Sequence, residues 1–138
     1  VFEEFGSEKV GTVYSDPETD ALFQYFSDAR AGYWVAEENG LLIGGCGIYP
    51  TKGLPEGCVE LVKLYLSPSA RGKKLGFRLF EKSIDSALSL GYKQLYLESF
   101  PEFSKAVSMY ESFGFKQLDH PLGCSGHYAC TIYMLKNL

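Results

Sequence analysis

Six consecutive residues, Arg71-Gly72-Lys73-Lys74-Leu75-Gly76, set two glycines among three cations just after an apolar run that ends at Leu66-Ser67-Pro68. A helix that opens there leaves backbone N–H groups unpaired and carries partial positive charge at that end. Glycine lets an anion come close to the backbone, and the cations add attraction, so the segment has the makings of a pyrophosphate cradle. The same residues also describe an ordinary solvated helix start. They are not a Walker P-loop, which needs G-x-x-x-x-G-K-[ST], and the dinucleotide pattern G-x-G-x-x-G is absent.

The other reactive side chains are scattered. Cys46, Cys58, Cys124 and Cys130 form no C-x-x-C pair, which reads as reduced thiols in a cytoplasmic protein. Cys124-x-x-His127 offers two metal-capable groups without further partners, so no metal is expected.

The elements that must position these residues follow from pattern. Val1 to Phe5 reads as the tail of a helix stopped by Gly6. Asp16-Pro17-Glu18 is a helix-start signature, and Leu22, Phe23 and Phe26 follow at helical spacing. Tyr33 to Glu37 and Leu41 to Tyr49 are strand-like runs joined through Asn39-Gly40, a strong hairpin signal. Cys58 to Leu66 alternates as a strand, with Val59, Leu61 and Lys63 on one side and Glu60, Val62, Leu64 and Leu66 on the other. Pro68 ends it.

From about Gly72 to Leu90, positions Gly76, Phe80, Ser83, Ile84, Ala87 and Leu88 make one helix face, closed by Gly91. Lys93 to Phe100 is a further strand with Leu95 and Leu97 on one face. Ser104 to Phe113 is a helix that clusters Ala106, Met109, Tyr110 and Phe113, and His127 to Leu135 is a closing strand. Strands interleaved with helices predict a single α/β domain over residues 1–138, with a mixed sheet covered on both faces. The unit from Glu60 to Phe100 is expected to be a parallel crossover.

Two stretches together resemble the GNAT superfamily of acetyl-CoA-dependent N-acetyltransferases. The first is the turn already described, set against the pattern [QR]-x-x-G-x-[GA]: Arg71 and Gly76 fill the outer positions, and Lys74 stands where the middle glycine is usual. The second is Phe103-Ser104-Lys105-Ala106-Val107-Ser108-Met109-Tyr110-Glu111-Ser112-Phe113-Gly114-Phe115, set against N-x-x-A-x-x-[LM]-Y-x-x-x-G-F. Ala106, Met109, Tyr110, Gly114 and Phe115 agree, and Phe103 replaces the asparagine. The motifs fall in the expected order, separated by one helix and one strand.

The resemblance implies a mostly antiparallel mixed sheet whose first strand is missing ahead of Val1. It implies acetyl-CoA as donor, an amine as acceptor and direct transfer in a ternary complex. About one amine in 10³ to 10⁴ is neutral at pH 7, a deficit of roughly 4–5 kcal/mol, so a base is useful. Glu60 is the implied base, against the alternative of a solvated strand-end carboxylate. Tyr110 is the implied acid for the departing thiolate, against a core tyrosine. The backbone at Leu64, Tyr65 and Leu66 would hold the pantetheine arm as an added strand. Arg71, Gly72, Lys73, Lys74, Leu75 and Gly76 would hold the diphosphate.

His127 could enter the acceptor pocket, although a histidine after Gly123-Cys124-Ser125-Gly126 is more often structural. Cys58, expected on the face of Glu60, could carry an acyl group but reads better as an inert thiol. Tyr33 and Trp34 are expected in the core or the pocket wall. The off-pattern Lys74 and Phe103 leave room for a non-catalytic acyl-CoA-binding sensor or scaffold.

Composition narrows the field. A chain of 138 residues can bury roughly two-thirds of its surface without disulfides or metals. The net charge of −4 disfavours a nucleic-acid binder, which needs surplus Lys and Arg. No apolar run approaches the ~18 residues of a membrane span. A homodimer is compatible with the resemblance, and no residue pattern demands one.

Overall fold

Asn39 and Gly40 both take positive φ, 54° and 79°, the pairing that a two-residue hairpin turn needs to match strand twist. They fold β1 (Gly32–Glu38) onto β2 (Leu41–Tyr49) as an antiparallel pair. In this computed structural model, which describes residues 3–6, 10 and 15–138, β2 then pairs antiparallel with β3 (Cys58–Leu66). The chain crosses through α2 (Leu75–Ser89) and returns as β4 (Gln94–Ser99), parallel to β3. α3 (Ser104–Ser112), β5 (Lys116–Leu118) and β6 (Ile132–Asn137) complete the order. The six strands lie as β1-β2-β3-β4-β6-β5, and only β3–β4 is parallel. The expected mixed, mostly antiparallel sheet and its parallel crossover are present. Among the described residues no helix is long and apolar enough to cross a membrane.

α2 and α3 cover one face of the sheet. Phe80 on α2 and Tyr110 on α3 pack with Val59, Leu61, Leu95, Leu97 and Met134 in one buried cluster. Phe80 is fully buried, and its truncation to Ala would cost about 3–5 kcal/mol. The buried stripe of α2 runs Gly76, Leu79, Phe80, Ser83 and Ala87. Leu88, expected on that stripe, is 51% exposed, because it lies about 100° past Ala87 and the stripe leans instead toward Leu79. The opposite face of the sheet carries the short α1 (Leu22–Tyr25), where Tyr25 stacks on Tyr49 at 3.9 Å.

Other expectations are corrected by local backbone. Pro17–Ala21 is a 3-10 turn leading into α1, and Asp16 makes no side-chain cap. Phe23 points to solvent at 92% exposure. Glu3–Phe5 forms a single 3-10 turn ahead of Gly6 at φ 63°, while Val1 and Phe2 lie outside the described residues. Helix α2 starts three residues later than Gly72, since Gly72 and Lys74 both hold positive φ, 77° and 58°. The closing strand starts at Ile132 rather than His127. Gly126 at φ 81° and a turn from Cys130 N–H to the His127 carbonyl (2.9 Å) keep residues 127–131 out of the ladder. Trp34 is not in the core: it is 43% exposed, lines a shallow surface pocket with Ser86 and Leu90 away from Glu60, and donates its indole N–H to Ser86 on α2.

One irregularity shapes the centre. Gly45 faces Tyr65 and Gly47 faces Val62, so β3 holds an extra residue opposite Cys46. Lys63 takes φ 53° at this bulge, a left-handed geometry that costs an L residue roughly 1–2 kcal/mol. Tyr33 lies flat over β2, where a Cβ on Gly45 would meet its hydroxyl, and one on Gly47 its ring, at 2.5 Å. From there its hydroxyl donates to the Lys63 carbonyl at 3.2 Å. The bulge overturns the simple alternation of β3. Leu64 and Leu66 join Val59 and Leu61 against the helices, while Lys63, buried near Asp16, moves to the side of Glu60.

Candidate active site

β3 and β4 pair only through Cys58, Val59 and Glu60 against Gln94, Leu95 and Tyr96. Beyond the Glu60–Tyr96 pair the bulge re-aims β3, whereas β4 stays with β6 all the way to Ser99. The strands part, and the gap holds a cavity of about 70 Å³ lined by Glu60, Tyr65, Glu98, Phe103, Tyr110 and His127 among others. Since side chains alternate along a strand, Leu95 and Leu97 go to the helices, and Tyr96 and Glu98 go to the other face.

That other face carries a polar cluster. Glu60 is only 3% exposed, and the Thr51 hydroxyl donates to its Oε2. Burial pushes the Glu60 carboxyl up to about 8 against that hydrogen bond; Glu98 and Asp16 push the same way and Lys63 opposes them. Glu98 accepts from Tyr96 at 2.9 Å and from Ser125 at 2.7 Å. His127 sets Nε2 2.8 Å from Asp16 and Nδ1 4.0 Å from Glu98. Lys63 Nζ stands 3.7 Å from Asp16 Oδ2, with its side chain 4% exposed, and reaches the Thr19 hydroxyl at 3.4 Å.

Glu60, Glu98 and His127 bring one donor atom each to within 4.8 Å of one another, a spacing a cation could use. Both carboxylates already accept from hydroxyls, and the Lys63 ammonium supplies positive charge to the cluster. Those neighbours suit proton handling better than a divalent ion. Cys124 joins no such group among the described residues.

Tyr110 closes the cavity from the helix side. It is 7% exposed and packs against Phe80 and Phe115, because α3 presents it to the gap where β3 leaves β4. Burial raises its phenol well above the ordinary value, with Cys46 adding, so at neutral pH it is a donor. Phe103 packs at a tilt on Phe100, ring centroids 4.7 Å apart, in the cavity wall. The Cys58 thiol is pushed up to about 11 by burial and by Glu60, which leaves little thiolate for acyl chemistry.

The glycine-basic turn of residues 71–76 lies beyond the far end of β3. Gly72 has open space where a Cβ would stand, and a Cβ on Gly76 would meet Leu66 Cδ1 at 3.1 Å, so the helix start is bare on one side and pressed to β3 on the other. The first helical N–H groups lack partners inside the helix. Arg71 is committed elsewhere: its guanidinium pairs with Glu4 and donates to the Leu66 carbonyl at 3.2 Å. Lys73 sits 3.4 Å from Glu38. The turn thus offers backbone donors and the exposed Lys74, a fit for a diphosphate made mostly by main chain.

These features coincide with a known family. The model described as the Acetyltransferase (GNAT) family matches residues 1–115. The chain belongs to this family. The uncharacterized N-acetyltransferase YjgM of Escherichia coli K12 is 38% identical over 128 residues, which span 93% of this chain and 77% of that protein. A GNAT acetyltransferase from Staphylococcus aureus superposes with a TM-score of 0.85 at 20% identity, covering 99% of this chain and 84% of its own. A GNAT phosphinothricin acetyltransferase from Sinorhizobium meliloti, solved with acetyl-CoA, gives 0.75 at 23% identity, covering 100% and 80%.

The GNAT chain described here is therefore an N-acetyltransferase with the GNAT fold. The sequence nominates Glu60, Tyr110, His127 and the turn, and the structure brings the first three to one cavity. Asp16, Thr51 and Glu98, which join the polar cluster there, carry no such signal in the sequence. Asp16 was disguised by a helix-start signature, and Glu98 by its place on a strand noted only for Leu95 and Leu97.

Proposed function

We propose that this chain transfers an acetyl group from acetyl-CoA directly to a primary amine, both bound at once in the gap between β3 and β4. The observation that carries the reading is the parting of the two strands beyond Glu60 and Tyr96, with a buried carboxyl on one side and a buried phenol on the other. Gly72, Lys74, Leu75 and Gly76 would hold the diphosphate, and the backbone of Leu64, Tyr65 and Leu66 would hold the arm that reaches the gap. Acetyl-CoA would supply the acetyl group as an activated thioester.

Glu60 takes a proton from the acceptor ammonium and so raises the fraction of nucleophile. Its carboxyl at about 8 stands close to working pH, where a base combines availability with strength. Tyr110 donates to the position where negative charge develops on the departing sulfur. The buried, unpaired thiols Cys46, Cys58 and Cys130 support a reducing compartment such as the cytoplasm.

The test is release of free thiol from acetyl-CoA with a panel of amines, beside calorimetric titration with coenzyme A. Amine-dependent release is expected. Tight binding with no release for any amine would instead favour the sensor or scaffold reading.

A further inference from the structure

A base buried as deeply as Glu60 must return its proton to water before the next turnover, and while substrates fill the gap its own carboxyl is cut off from solvent. Thr51 covers Oε2, and the residue is 3% exposed. The titratable groups around it are Asp16 ahead of the 3-10 turn Pro17–Ala21, Cys58 and Lys63 on β3, Tyr96 and Glu98 on β4, and His127 and Cys130 ahead of β6. Of these, His127 alone has two sites that can gain and lose a proton on opposite sides of one ring.

Its placement uses both sides. Nδ1 looks inward, 4.0 Å from Glu98 Oε2, and one ring nitrogen comes within 4.8 Å of a Glu60 oxygen. Nε2 looks outward, 2.8 Å from Asp16 Oδ2, on a side chain that is 26% exposed while His127 itself is 12% exposed. Ser125 fixes the geometry, donating to Glu98 Oε2 at 2.7 Å and accepting the His127 backbone N–H at 3.1 Å. The inner gaps are too long for direct transfer. Two hydrogen bonds of about 2.8 Å meeting at one water span ~4–5 Å, which matches them. A cavity of about 70 Å³ has room for about two waters at ~30 Å³ each.

We propose that His127, held between Glu98 and Asp16, is the relay that carries the proton collected at Glu60 out to solvent. The proposal rests on the reading of Glu60 as the base. The N–H bond of the acceptor ammonium breaks as an O–H bond forms on Glu60. That proton crosses one water to Nδ1, the proton on Nε2 passes to Asp16, and Asp16 yields it to bulk water. Exchange of the ring proton with water restores the starting tautomer. Each turnover moves one proton, and no charge is left behind. Glu98 and Ser125 act as positioning residues, since they orient the ring without touching the acceptor.

Four variants test this: Glu60→Gln, His127→Gln, Asp16→Asn and Ser125→Ala. His127→Gln should lower kcat 10–100-fold with the KM for acetyl-CoA within 2-fold, and imidazole added to the buffer should restore a substantial part of the loss. Asp16→Asn should lower kcat about 3–10-fold and respond to buffer in the same way, which keeps the test alive if the glutamine variant folds poorly. In the free protein, the His127 ¹⁵N resonances should register the Glu60 titration near about 8, and that step should be absent in Glu60→Gln. Ser125→Ala should act in the same direction as His127→Gln, more weakly.

An unchanged kcat in His127→Gln and Asp16→Asn, or a loss that no buffer rescues, overturns the relay. If Glu60→Gln keeps full activity, the base assignment itself fails, a separate result from failure of the relay alone.

Discussion

The two ends of β3 solve different problems by different means. At its C-terminal end, the turn from Arg71 to Gly76 presents main chain: two positive-φ residues, a bare helix start and cations largely paired with Glu4 and Glu38. Near its N-terminal end, Glu60 sits in a side-chain constellation gathered from Asp16, Thr51, Glu98, Ser125 and His127. The first site is contiguous in sequence and tolerant of side-chain identity. The second spans more than a hundred residues of chain and depends on each side chain.

Substitutions should therefore hurt most at the constellation. Glu60→Gln is expected to lower kcat by ~10²–10⁴ with coenzyme A affinity unchanged, and to remove the limb of the pH–rate profile near the Glu60 value of about 8. Steady-state kinetics from pH 6 to 10 check both. Stability should move the other way. The folded state holds Glu60 protonated far above its ordinary 4.5, so it binds more protons than the unfolded chain between those values. Wild-type stability is thus full below ~4.5 and falls as pH rises through about 8, with a limiting cost of roughly 3–5 kcal/mol. Glutamine has no such titration, and its advantage in melting temperature should widen between pH 5 and 9. A constant difference would mean that Glu60 carries no buried charge at high pH.

Tyr110→Phe probes the junction of the two ends, where the helix face meets the gap. A loss of about 10–100-fold in kcat is expected, with the KM for acetyl-CoA within 2-fold, since the ring and its packing on Phe80 and Phe115 remain. The stability change should stay near 1 kcal/mol, the net worth of one hydroxyl. Equal turnover in both proteins would reduce Tyr110 to a core side chain.

The contrast also explains what could be read before folding. The hairpin, the crossover and the turn each follow from neighbours in sequence: Asn39-Gly40, an alternating run before a helix, glycines beside a helix start. Tyr110 was legible because its motif is local. Asp16 was not, since its type and the following proline speak for a cap, and only tertiary packing sends its carboxylate to His127 and Lys63. Lys63 was assigned to the wrong face because a bulge is set by β2 glycines and by Tyr33, thirty residues away. Period-two reasoning fails at the one residue where the strand stops alternating, and that residue opens the site.

Lys74 gives the smallest effect and the sharpest discrimination. It holds φ 58° and ψ 16° at the residue before α2, a conformation that costs a non-glycine residue about 1–2 kcal/mol. Lys74→Gly relieves that strain but gives the unfolded chain about 0.5–1 kcal/mol more entropy. A net gain of up to ~1 kcal/mol in unfolding free energy is expected. Lys74→Ala keeps the strain and removes the same charge. Because the turn offers mostly main-chain donors, coenzyme A affinity at low salt should fall by no more than about 5-fold in either variant. The loss should shrink as salt screens the missing ammonium, and the glycine variant should bind at least as tightly as the alanine one. A loss of 100-fold in both would mean that the ammonium, rather than the shape of the turn, holds the diphosphate, and the two ends of β3 would no longer differ in kind.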